Sequence, residues 1–124
     1  MPILEPEVSI KSPTKAQAET ILKDELTRQL DAAEGKVMLK LTIPDQADLY
    51  APLTKHQNVE RVVALSGGYK LDDACERLSR NHGMIASFSR ALIDNLKKDM
   101  SDAEFNDTLA AAIDKIYQAS AHKV

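Results

Sequence analysis

The chain has 124 residues, enough for one ordinary domain and not for two. An apolar fraction of 44% supports a packed core, and 28% charged residues support a polar surface. The net charge of -3 and the lack of a basic stripe interleaved with aromatics exclude a nucleic-acid binder, and no apolar run is long enough to span a membrane. There is no signal-peptide pattern, and Cys75 is the only cysteine, so no internal disulfide is possible and a cytoplasmic setting is expected. His56, His82 and His122 are too scattered to suggest a metal site, and no cofactor is expected.

In chain order, "PILEPEV" reads as a strand over 2–8. Ser12-Pro13 then opens a helix, serine suiting the N-cap and proline the first helical position. Ala18, Ile21, Leu22, Leu26 and Leu30 repeat at helical spacing. The next strand is "VMLKLTI", 37–43, stopped by Pro44 and followed by a weaker helical stretch over about 46–55. A third strand covers 59–66 and ends in the Gly67-Gly68 turn; Leu71, Ala74, Cys75 and Leu78 then mark a second amphipathic helix. A fourth strand covers 83–89, with a helix starting near Arg90. Ser101 with Glu104 three residues on is a capping-box pattern, opening a helix over about 102–119 that carries Phe105, Leu109, Ala112, Ile113 and Ile116.

The order is βα four times plus a terminal helix. Such alternation predicts an α/β fold of parallel strands joined by right-handed crossovers. Four units make half of a TIM (β/α)8 barrel, a fold of typically ~250 residues, so 1–124 reads as a single partial-barrel domain cut in mid-architecture.

Strand parity sorts the side chains into faces. Met38, Lys40 and Thr42 share one face of the second strand, while Val37, Leu39, Leu41 and Ile43 form an aliphatic face suited to packing under helices. Ile3, Glu5 and Glu7 share a face of the first strand, Val62, Ala64 and Ser66 of the third, and Ile85, Ser87 and Ser89 of the fourth, with Arg90 next. Polar groups thus fall at or near four successive C-terminal strand ends, where barrels of this class carry their chemistry. Taken singly, each has a plainer reading. A strand lysine is usually solvated. "EPE" can be a surface turn, Gly-Gly is first a turn signal, and serine before a helix is usually a cap. Cys75 on an apolar helix face reads as a small buried side chain.

The motifs "ILEPEV", "LKLTIP", "RVVALSGGY" and "IASFSRAL", in this order, resemble the class I fructose-1,6-bisphosphate aldolases, most closely the shorter bacterial branch. The likeness covers essentially the whole chain but only the C-terminal half of a family member. It implies a lyase of glycolysis that reversibly cleaves fructose 1,6-bisphosphate to dihydroxyacetone phosphate and glyceraldehyde 3-phosphate through a Schiff base. By resemblance Lys40 is the Schiff-base lysine, Glu5 the acid/base and Glu7 its hydrogen-bonding support. Ser66, Gly67 and Gly68 match the family's phosphate-binding turn, and Arg90 its phosphate-holding arginine. Ser89 stands where relatives can carry glycine. The tyrosine-ended tail of animal members has no counterpart in "SAHKV".

The chemistry wants these residue types. Cleaving a carbon–carbon bond beside a ketone needs an electron sink, which an amine supplies by condensing to an iminium. The attacking amine must be neutral, and bringing a free lysine from ~10.4 to near 7 takes about 4.6 kcal/mol, so a dry interior place is expected for Lys40. The first four strands of the family contribute site residues that are missing here. The chain alone is therefore expected to be inactive or very weak, and either to associate, with itself or with a complementing N-terminal half-barrel, or to be poorly folded. The alternative function is a truncated or split, non-catalytic half-barrel that retains phosphate binding. Another barrel-type Schiff-base aldolase would lack the paired "EPE" and "LSGG".

Overall fold

The computed structural model describes all 124 residues. Its elements are β1 (Ile3–Leu4), α1 (Lys15–Ala32), β2 (Val37–Thr42), α2 (Ala51–Thr54), β3 (Val59–Leu65), α3 (Leu71–Ser79), β4 (Met84–Ala86) and α4 (Asp102–Ala121). The strands form one parallel sheet in the order β1-β2-β3-β4, so each βα unit adds its strand beside the last.

One face of this sheet makes the core. Leu39, Leu41 and Ile43 are fully buried, and register sets Val62 beside Leu39 and Ala64 beside Leu41 on the same side. Leu26 and Leu30 of α1, Leu53 of α2 and Leu78 of α3 close over them. Each wholly buried leucine stabilises the fold by about 1.5–3 kcal/mol. Cys75 belongs to this layer, and burial pushes its thiol above the ordinary range, which makes it a poor nucleophile. The other face is thinly covered. Arg61 is exposed, Met38 and Ile85 are half-buried, and β1 at the edge leaves Ile3 and Leu4 open to solvent. All-parallel sheets are ordinarily covered on both faces.

Several elements are shorter than the sequence suggests. β1 stops after Leu4 rather than running over 2–8. The Pro2 carbonyl accepts from Met38 N–H at 2.9 Å, so the even-numbered residues turn their backbone toward β2, and Pro6 has no N–H to offer there. β4 stops at Ala86 rather than 89; Ser87 N–H still donates to the Ala64 carbonyl at 2.8 Å, and Phe88 then turns inward and is buried. No helix begins at Arg90. The segment instead makes isolated i to i+3 turns, such as Leu96 N–H to the Ile93 carbonyl at 3.0 Å, while the Asp94 carboxylate is held by Lys70 and by Leu71 N–H. So short a helix is marginal without packing. α2 is a single turn, entered through Asp48 in the left-handed region (φ 61), where its carboxylate accepts from His82 N–H at 2.7 Å.

The helix starts and faces are also adjusted. In α1 the first i to i+4 bond runs from Ala18 N–H to the Thr14 carbonyl at 3.0 Å, so Thr14 is the cap, and the Ser12 hydroxyl accepts from Thr14 N–H ahead of it. Ile21 is exposed, and in its place Lys15 and Glu19 are buried as a pair. In α4 the capping box forms, with the Ser101 hydroxyl accepting from Glu104 N–H and the Glu104 carboxylate from Ser101 N–H, each at 3.1 Å. The small residues Ala112 and Ala119 are the ones buried there, whereas Phe105, Ile113 and Tyr117 face outward. The Ser120 hydroxyl accepts from Ala86 N–H at 3.0 Å and so occupies a donor on the β4 edge.

Candidate functional site

The register of β1 on β2 pairs Ile3 with Met38 and Leu4 with Leu39, so one step further Glu5 stands beside Lys40 on the open face. Lys40 Nζ lies 3.3 Å from Glu5 Oε2, with side-chain exposures of 28% and 53%. At that exposure the ion pair contributes at most about 1 kcal/mol; what matters is that it places an amine and a carboxylate together. The dry interior expected for Lys40 is only partly formed in this chain, because that face of the sheet is thinly covered and the ammonium group lines two open depressions. Glu7, two residues on, turns to the same side and lines the same cleft.

Two depressions meet at Lys40. The smaller, about 170 Å³, is polar and is lined by Glu5, Glu7, Lys40, Leu65, Ser66, Gly67, Ser87, Ser89 and Arg90. The larger, about 410 Å³, is mostly apolar and lies between the 86–92 segment and α4, with Phe88, Leu92, Ile113, Ile116 and Tyr117 in its walls. Ser87 and Ser89 line both. Eight site residues expected from the sequence were Lys40, Glu5, Glu7, Ser66, Gly67, Gly68, Ser89 and Arg90; all except Gly68 line the polar cleft, and Gly68 adjoins it in the turn. Ser87 is a lining residue that parity alone places on the Lys40 face.

Ser66 reaches the cleft by a different route from the one strand parity suggests. Lys40 pairs in register with Val63, and Leu41 with Ala64, so the Val62–Ala64–Ser66 set belongs to the helix-packed face. Ser66 is accordingly buried and enters the cleft because β3 ends at Leu65 and the chain turns at Gly67. Gly67 and Gly68 have φ of 64 and 106, and neither N–H has a partner within the chain. A Cβ at Gly67 would lie 2.9 Å from Ile10 Cγ2 as well as in a backbone region unsuited to L-residues. Gly67→Ala is therefore expected to destabilise the chain by more than about 1 kcal/mol in urea titration; an unchanged midpoint would show that the turn relaxes freely.

The start of α3 is less open to a ligand than the turn before it. Leu71 N–H donates to Asp94 Oδ2 at 3.4 Å, and Lys70 pairs with Asp94 Oδ1 at 3.0 Å. The Lys70 ammonium, and then the Leu71 N–H, hold the Asp94 carboxyl below its usual range. An anion thus already sits at that helix end.

The parallel α/β sheet thus brings a lysine–carboxylate pair and a serine–glycine–glycine turn to one small polar cleft at its C-terminal strand ends. In sequence the chain is similar to curated proteins named fructose-bisphosphate aldolase class 1. It is 57% identical over 120 residues to the one from Porphyromonas gingivalis, 57% over 122 to that of a Synechocystis species, and 54% over 122 to that of Clostridium acetobutylicum. The similarity covers 97% of this chain, which spans 41% of the length of these proteins. No family model matches it.

Proposed function

We propose that this chain carries the Schiff-base part of a class I fructose-bisphosphate aldolase site, as four of the eight βα units of a TIM barrel. The observation that carries the reading is Lys40 Nζ lying 3.3 Å from Glu5 Oε2 at the edge of a cleft shared with Ser66, Gly67 and Arg90. In the reaction, the neutral Lys40 amine attacks the ketone of a phosphorylated ketose, and the carbinolamine loses water to give an iminium. A base takes the proton of the β-hydroxyl, and the bond between the α- and β-carbons breaks to release the aldehyde. The electron pair of that bond passes into the enamine, which protonation at the α-carbon and hydrolysis return to free amine and ketone. Glu5 is within reach to donate and accept the protons of these steps, with Glu7 supporting it. The unpartnered N–H groups of Gly67 and Gly68, with Ser66, Ser89 and the Arg90 guanidinium, suit a phosphate. The electron sink is the chain's own lysine, so no separate cofactor enters this scheme.

The thinly covered sheet face and the open β1 edge call for a covering partner, either a complementing N-terminal half-barrel or a second copy of this chain. Such a partner would also enclose Lys40, giving it the dry setting that a nucleophilic amine needs. The buried single thiol agrees with a cytoplasmic protein. The second reading, a non-catalytic half-barrel that keeps only phosphate binding, is favoured by the exposure of Lys40 in the chain by itself.

The test is borohydride reduction in the presence of dihydroxyacetone phosphate, followed by peptide mass mapping, with the chain alone and mixed with a polypeptide supplying the other four βα units. A reduced adduct on Lys40 in the mixture supports the catalytic reading. An adduct elsewhere with Lys40 unmodified refutes the assignment. Phosphate binding without any adduct leaves the second reading.

A further inference from the structure

Glu5 is held beside Lys40 by very little regular structure, since β1 consists of two residues. The backbone of the even-numbered residues faces β2, and this side of the ladder is broken at Pro6, where an N–H is missing. At the next even position the pairing resumes through a side chain. Val8 N–H donates to Thr42 Oγ1 at 3.0 Å, and the same hydroxyl donates to the Val8 carbonyl at 2.9 Å. Thr42 is 1% exposed and Val8 is half-buried, so this pair of hydrogen bonds is partly shielded from water. One side-chain hydroxyl thereby satisfies both backbone groups of Val8, as a neighbouring strand would. The short Glu5-Pro6-Glu7 run is fixed at one end by the β1 ladder and at the other by Thr42.

We infer that Thr42 is a positioning residue for the site: its hydroxyl tethers Val8 and so holds the Glu5 and Glu7 carboxylates in register over the Lys40 amine. Thr42 lies two residues after Lys40 on β2 and on the same face, so the residue that bears the amine and the one that aims its acid are on one strand. The inference rests on the reading of Lys40 and Glu5 as amine and acid. Displacing a catalytic group by about 1 Å can reduce a rate 10²-fold, so the tether acts on rate more than on ketose binding.

Thr42→Val keeps the shape and the strand preference while removing the hydroxyl; Thr42→Ser keeps the hydroxyl. Hydrogen exchange at the Val8 amide is expected to speed up at least tenfold in Thr42→Val and to return toward the original rate in Thr42→Ser. In the complemented assembly, Thr42→Val should slow borohydride trapping at saturating dihydroxyacetone phosphate by about tenfold or more, with little change in the half-saturating concentration. It should cause no further slowing when Glu5 is already glutamine, because a tether that acts through Glu5 has nothing left to aim. Equal slowing in both backgrounds, or unchanged Val8 exchange in Thr42→Val, overturns the inference. Faster Val8 exchange in a chain that traps no ketose on Lys40 upholds the tether and overturns the aldolase reading alone.

Discussion

Replacing Lys40 with arginine is expected to eliminate the borohydride-stable adduct while leaving the fold in place. A guanidinium is neutral in less than about 10⁻⁵ of molecules at pH 7, so it cannot attack a ketone at a useful rate. It keeps the positive charge that faces Glu5, which separates loss of nucleophile from loss of ion pair. Both partners are substantially solvated, so the change in stability should stay within about 1 kcal/mol. The adduct is read by intact mass after reduction, and the fold by circular dichroism and a urea midpoint. Trapping that persists in Lys40→Arg would move the chemistry to another amine and undo the proposed function.

Glu19→Ala is expected to destabilise the chain by about 3 kcal/mol or more, the largest single effect outside the site. Glu19 is fully buried in α1 and pairs with Lys15, which is 4% exposed. Lys15 also donates to the Ile43 carbonyl at 2.8 Å and to Asp45 Oδ1 at 3.0 Å, and Glu19 Oε2 accepts from Asp45 N–H at 3.0 Å. This cluster clamps the start of α1 to the chain just beyond β2. Removing one member of a buried pair leaves the other charge desolvated, at a cost of about 3–5 kcal/mol. Asp45 softens the loss for Lys15, but the Asp45 N–H loses its acceptor as well. Urea unfolding gives the number directly. A loss below about 1 kcal/mol would mean that water or Asp45 replaces Glu19 fully.

The same cluster shows where a pattern of apolar residues stops being informative. Ile21 fits the helical stripe of α1 yet is exposed, while Lys15 and Glu19, four residues apart on the same helix, are buried against the loop after β2. Periodicity reports which residues share a helix face; whether that face finds apolar or polar company depends on the chain it meets. α4 behaves likewise. Its large apolar residues Phe105, Ile113 and Tyr117 are exposed, and Ala112 and Ala119 are buried, because close helix packing takes up the small residues while the remaining face has no partner in this chain.

Several features follow from the amino-acid order alone: the alternation of strand and helix, the aliphatic set Leu39, Leu41 and Ile43, the Ser101–Glu104 cap and the sign of the residues around the cleft. These depend on local periodicity and on side-chain chemistry, which a neighbour cannot change. Register between strands, by contrast, is a tertiary quantity. It decided that Ser66 belongs to the helix-packed face and enters the cleft only through the Gly67 turn, and that Lys40 stands next to Glu5. Lys40 is left part exposed, because shielding an amine requires close packing on the far side of the sheet, and there this chain sets only the open depression between the 86–92 segment and α4.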